Sequence, residues 1–245
     1  FFKNIPEDLY NIYIHCKYPD KFTDPFFSKF KIKNHAVTEW GVIEEATSLL
    51  YAEALVDINN KYFIPISEST IPTKSFKFIY SVLFKNTELK SYIKNWKKDY
   101  NEDYRVFSDI YKKKKINPLF IENIKYCHYY KLHSWHILNR KHTKIFVDDI
   151  FYKRCFKNHI ASSENYIMYL LSLHDEYKNI INKQITGEDW SQPENVENET
   201  YENRGRRPKT YDILDNTSVH KFLDSKFLFA RKFTKKSNIS NFINI

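Results

Sequence analysis

The stretch YFIPISESTIP (residues 62–72) runs from bulky apolar side chains straight into Ser67, Glu68 and Ser69. A short apolar run of this kind predicts a buried strand, whereas two hydroxyls and a carboxylate cannot stay in the same core without partners. The flanks supply context. EEATSLLYAEALV (44–56) has the spacing of an amphipathic helix, SFKFIYSVLF (75–84) predicts a second helix after Pro72, and LYNIYIHC (9–16) reads as an earlier strand by its aromatic and β-branched content. Strand, helix, strand, helix predicts an α/β fold with a mostly parallel central sheet flanked by helices. Ligands of such sheets bind beyond the carboxyl ends of the strands, so Ser67, Glu68 and Ser69 are expected to face a crevice.

Further along, IKYCHYYKLHSWHILNR (124–140) predicts two short strands, followed by a helix from about His142. SSENYIMYLLSLH (162–174) predicts a helix that starts near Ser162 or Ser163, with a serine capping its free amides and Glu164 in its first turn. The charged stretches WKKDYNEDYR (96–105) and YKKKKINP (111–118) read as solvated faces. Residues 188–208 are polar and apolar-poor, which predicts a long functional loop; a helix around TSVHKFLDS (217–225), the segment KFLFARKF and a frayed tail (236–245) close the chain.

Composition excludes several functions. Three glycines (Gly41, Gly187, Gly205) are too few for a Walker loop or a dinucleotide-binding turn. Cys16, Cys127 and Cys155 lack a Cys-x-x-Cys spacing, so the thiols are expected to be reduced or to form one bridge at most. His128, His133 and His136 cluster without a metal-ligand pattern. The net charge of +9 suits a nucleotide, a polyanion or an acidic membrane surface, and also matches the Asn, Lys, Ile, Tyr and Phe usage of AT-rich coding. The length of 245 residues suits one domain over 1–245.

Seven blocks carry a resemblance: YIHC (13–16), VTEWG (37–41), AEALVDINNKYFIPISESTIP (52–72), SWHILNR (134–140), SSENYI (162–167), GEDWS (187–191) and LFARKF (228–233). In order and spacing they resemble the core-2/I-branching N-acetylglucosaminyltransferases, glycosyltransferase family 14, and most of all their plant-type branch. The resemblance implies a GT-A-like fold and a metal-independent, inverting transfer from a UDP-sugar to a hydroxyl of a glycan acceptor, with no divalent cofactor. Such a displacement needs a base for the acceptor proton and cations for the departing diphosphate.

Glu164 falls on the family's glutamate, although Ser163 and Asn165 stand where an aspartate and a histidine are usual. Lys232 falls on the family's lysine, and its arginine partner is sought among Arg204, Arg206 and Arg207, with Lys209 beside them and Arg207 preferred. Ser67, Glu68 and Ser69 occupy the place of a metal-binding Asp-x-Asp pair and are expected to hydrogen-bond sugar hydroxyls instead; one carboxylate between two hydroxyls is a poor site for a hard cation. Trp190 matches a tryptophan on the acceptor side, with core packing as the alternative, and Trp40 also matches a family position. Family members open with an apolar strand before residue 1, so a fragment of a longer protein, or a weakened donor site, is expected. A membrane anchor would belong to that preceding segment, giving a Golgi-lumenal enzyme; without it the enzyme would be soluble and cytoplasmic. An inactive glycan-binding relative is the competing reading, and a nucleic-acid-binding protein the third; no nucleic-acid partner is expected.

Overall fold

The computed structural model describes residues 1–39, 41–97, 119, 123–157, 161–190, 208–214, 222 and 226–237. In chain order its helices and strands are α1 (Glu44–Leu55), β1 (Tyr62–Phe63), β2 (Thr70–Pro72), α2 (Phe76–Leu83), β3 (Ser91–Tyr92), β4 (Asn95–Lys97), β5 (Tyr130–Leu132), β6 (Leu138–Asn139), α3 (Arg140–Asp148), α4 (Phe151–Phe156), α5 (Tyr166–Leu173), β7 (Ile180–Ile181), β8 (Thr186–Glu188) and β9 (Phe229–Arg231). The chain divides into a larger unit, Pro6–Pro65 with Leu89–Lys183, and a smaller one, Phe1–Ile5 with Ile66–Glu88 and Gln184–Ile245.

The larger unit is built around α5, whose residues from Tyr166 to Leu171 are all buried. A helix apolar on every side must be wrapped by others, and its neighbours in the core include Tyr51 and Ala54 of α1, Phe146 of α3, Cys155 and Phe156 of α4, Leu132 of β5 and Leu138 of β6. Asn139 caps α3 by accepting from the His142 N–H at 2.8 Å. The next residue, Arg140, closes α1: its guanidinium donates to the carbonyl of Leu55 (2.7 Å), which the helix C-terminus leaves open, and to those of Asp57 (2.8 Å) and Asn60 (3.1 Å) in the segment that follows.

In the smaller unit β9 lies between β2, antiparallel to it, and β8, parallel to it. Tyr211, Leu214, Phe222, Ala230 and Phe233 form its core with Ile71 against them. Ser75 caps α2, accepting from the Phe78 N–H at 3.3 Å.

The fold is mixed α/β, with α1, α2, α3 and α5 where the pattern predicts helices. The strands differ from expectation. Among the described residues three strand pairs are antiparallel and two parallel, in four small sheets, where a mostly parallel sheet was predicted. That prediction assumes that consecutive strands are neighbours; here β1 pairs with β6 and β2 with β9. LYNIYIHC is not a strand beyond the bridge of Ile14 to Lys31, because among the described residues no strand runs alongside it. YFIPI is a strand only at Tyr62–Phe63, since Pro65 has no N–H for a ladder. Most of the 188–208 loop, both charged stretches past Lys97, the helix around 217–225 apart from Phe222, and the tail from 238 lie outside the described residues.

The three cysteines are free, and among the described residues no helix is long and apolar enough to cross a membrane.

Candidate active site

Glu164 ends a 3-10 turn, Ser162–Glu164, immediately before α5. Neither serine caps the helix as predicted. The turn closes on its own backbone, the Ala161 carbonyl accepting from the Glu164 N–H at 2.8 Å and the Ser162 carbonyl from the Asn165 N–H at 3.0 Å, while the Ser162 hydroxyl donates to the Gly41 carbonyl at 3.4 Å. The Ser163 N–H donates to that same carbonyl at 3.2 Å. Gly41 has φ +71°, and a β-carbon there would come within 2.9 Å of the Ala161 Cα, so only glycine fits at this crossing. VTEWG and SSENYI are thus parts of one structure, although Trp40 itself lies outside the described residues.

The Glu164 carboxylate is part-exposed and pairs with Lys131 of β5, Oε2 to Nζ 3.0 Å. Lys131 Nζ also stands 5.8 Å from the centre of the Trp96 ring in β4. Sequence reasoning missed Lys131: it is far from Glu164 in the chain, and no motif marks it. It missed Glu44 as well, the first residue of α1, which is 8% exposed. Burial pushes the Glu44 carboxyl above the usual range, and the Ser162 hydroxyl draws it partly back.

The smaller unit gathers most of the remaining candidates. Ser67 to Thr70 form a turn in which the Thr70 N–H donates to the Ser67 carbonyl at 3.0 Å, and the Ser67 hydroxyl lies 3.0 Å from those of both Ser69 and Thr70. Glu68, between them, is exposed. The Ser69 carbonyl accepts from the Phe233 N–H at 3.0 Å, which sets this turn beside Lys232. The Lys232 carbonyl accepts from the Tyr211 N–H at 2.8 Å, and the Tyr211 hydroxyl donates to Asp189. Trp190 is 49% exposed and therefore not a core tryptophan; its Nε1 donates to Glu188 Oε2 at 3.2 Å, and the other oxygen of Glu188 takes the Arg231 guanidinium at 2.8 Å.

Of the basic run, Arg204, Arg206 and Arg207 lie outside the described residues. Lys209 is described: its N–H donates to the Asp189 carbonyl at 2.8 Å and its ammonium lies 4.9 Å from the Tyr211 ring centre. Ser67, Glu68, Ser69, Trp190 and Lys232 therefore share the smaller unit, and Glu164 belongs to the larger one.

Among the described residues His128, His133 and His136 belong to no group that could hold a metal ion. His128 bonds the Ser172 hydroxyl at 2.8 Å, and His136 is buried with neither ring nitrogen hydrogen-bonded among the described residues. A Ser–His–Glu chain does occur. The Glu176 carboxylate takes the Nε2 proton of His142 at 3.2 Å, so Nδ1 of the neutral ring accepts from the Ser91 hydroxyl at 2.7 Å, and that hydroxyl accepts from the Asn139 N–H at 2.8 Å. Ser91 and His142 are both 0% exposed, so this chain ties β3, β6 and α3 together and offers no nucleophile to a substrate.

The pattern that describes the Core-2/I-Branching enzyme matches residues 1–223. The chain belongs to the core-2/I-branching family. A rice relative (Oryza sativa subsp. japonica), Glycosyltransferase BC10, is 23% identical over 296 aligned positions, which take in 98% of this chain and 70% of the relative. As a core-2/I-branching enzyme the protein is a glycosyltransferase, with a sugar donor and a glycan acceptor as its substrates.

Proposed function

We propose that this core-2/I-branching enzyme is an inverting, metal-independent transferase that moves a sugar from a UDP-sugar to a glycan hydroxyl. N-acetylglucosamine is the sugar that the family resemblance favours. The observation that carries the reading is the mounting of Glu164: a part-exposed carboxylate on a turn held by Gly41 and Ala161, with one oxygen on Lys131. In the proposed reaction Glu164 takes the acceptor proton, the acceptor oxygen bonds to the anomeric carbon, and the bond from that carbon to the diphosphate breaks with its electron pair leaving on UDP.

Lys232, with Arg207 or Arg206, is assigned the charge that develops on the diphosphate. Lys209 is a further cation for this role, tied to Lys232 through Tyr211. The donor chemistry of residues 67–69 supports metal independence, since the two serine hydroxyls bond one another and only Glu68 supplies a carboxylate. Those hydroxyls, and the exposed Trp190 ring, are assigned to sugar binding.

Calorimetric titration with UDP, with and without EDTA, tests the donor half. EDTA-indifferent binding that weakens by about tenfold to a hundredfold in Lys232→Ala is expected. Binding that vanishes with EDTA would overturn the metal-free reading.

A further inference from the structure

Residues 17–31 carry a surface that neither role of the enzyme uses. Tyr18 and Phe26 are each 60% exposed and Phe27 43%. Their exposure is built in. Asp24 Oδ1 accepts from the N–H groups of Phe26 (3.0 Å) and Phe27 (2.9 Å), its carbonyl accepts from the Ser28 N–H at 3.0 Å, and the Ile14–Lys31 bridge ties down the end of the segment. The loop's own hydrogen bonds thus hold large rings in water, which marks an interaction surface.

Lysines interleave with the rings. Lys17 and Lys21 stand 5.7 and 5.3 Å from the Tyr18 ring centre, and Lys29 stands 5.2 Å from that of Phe26 and 4.8 Å from that of Phe30. Residues 17–31 hold four lysines, Lys17, Lys21, Lys29 and Lys31, against two acids, Asp20 and Asp24, and Asp24 is engaged with backbone amides.

The occupant follows from these features. Phe26 meets Phe27 at 86° and Phe30 at 67°, so the rings form a wedge of edges rather than the flat platform on which a sugar face stacks. A surface of phenyl edges with ammonium groups at their rim suits the boundary between lipid headgroups and acyl chains, where apolar rings insert and lysines reach phosphate.

We propose that residues 17–31 dock the enzyme on an anionic lipid surface, Tyr18, Phe26 and Phe27 entering the headgroup layer and Lys17, Lys21 and Lys29 pairing with lipid phosphate. This departs from the expectation that membrane association needs a segment outside the chain.

The test is co-sedimentation of the full chain with phosphatidylcholine vesicles, with and without roughly one-third phosphatidylserine, near physiological salt. Because a net charge of +9 alone attracts anionic vesicles, the deciding variant is Phe26→Ala with Phe27→Ala, which leaves charge unchanged. The wild type is expected to bind the anionic vesicles, and the double variant to lose about tenfold or more in affinity with its melting temperature and sugar transfer retained. Equal binding by the double variant would show charge attraction without docking and overturn the proposal. So would a wild type indifferent to phosphatidylserine, or a double variant that keeps its vesicle affinity and loses affinity for an acceptor oligosaccharide. Vesicle binding needs no turnover, so this result stands apart from the roles assigned to Glu164 and Lys232.

Discussion

At the scale of one residue, Glu164 is held on both sides: its N–H is fixed to the Ala161 carbonyl at 2.8 Å and its carboxylate to Lys131 at 3.0 Å. A base that acts by accepting one proton loses that capacity as an amide while keeping its shape. Glu164→Gln is therefore expected to lower kcat by about a hundredfold or more and to leave UDP affinity unchanged. Retained turnover would remove Glu164 from the chemistry. Lys131 is expected to act through Glu164 alone. Both side chains are about a third exposed, so solvent screens the pair, and Lys131→Met should cost about fivefold in kcat at most. Arginine at that position should restore the loss, and the methionine change should add nothing in a Glu164→Gln background; an additive effect there would assign Lys131 to folding instead.

At the scale of elements, much of the helical part of the fold was legible and the sheets were not. Helices α1, α2, α3 and α5 lie where apolar runs of helical length predict them, whereas the one cap read from the sequence, Ser162 or Ser163, is not used and the caps that form, Ser75 and Asn139, were not read. Strands of two or three residues, paired with partners far along the chain, leave almost no periodic trace. Glu164 and Lys232 were reached by family resemblance, whereas the parts that support them meet only in three dimensions. Arg140 closing α1, Lys131 beside Glu164 and Gly41 against Ala161 each join separate motifs. Gly41 offers the sharpest test. With φ at +71° and a backbone carbon where a side chain would go, Gly41→Ala should destabilise the larger unit by about 2 kcal/mol or more and lower kcat as the Glu164 turn shifts. Gly187 is the control in the smaller unit: a β-carbon there would meet the Phe227 ring at 2.3 Å, so Gly187→Ala should lower the melting temperature and weaken UDP binding before it touches the proton-transfer step. Denaturant titration with kcat and UDP affinity measured on each variant separates the two cases. Equal effects on both readouts would defeat the division of roles.

At the scale of the whole molecule, buried titratable groups set how the enzyme meets acid. Burial pushes His136 down to about 4, and burial also lowers His142 despite its bond to Glu176. For Glu176 burial raises the carboxyl, but hydrogen bonds from Lys141, Asn179 and His142 outweigh it and hold the group at about 2. A histidine held below its usual 6.5 takes up its proton more readily in the unfolded chain, so the stability it contributes is complete above that value and is lost as pH falls toward about 4. Glu176, ordinarily near 4.5, contributes stability above that value that is lost as pH falls toward about 2. Glu44 works in the opposite direction: raised by burial, it favours the folded state in acid and gives up that advantage as pH rises past its usual 4.5. The melting temperature should therefore decline in two stages on acidification, the first led by His136 and His142, the second by Glu176. His136→Met separates the stages, because it fills a buried site with an apolar side chain that does not titrate. This variant should flatten the upper stage, worth on the order of 3 kcal/mol for one histidine moved this far, and leave the lower stage in place. Melting curves of wild type and variant across that range decide the matter: an unchanged upper stage would move its origin away from His136, and a lost lower stage would show that the variant had also disturbed Glu176.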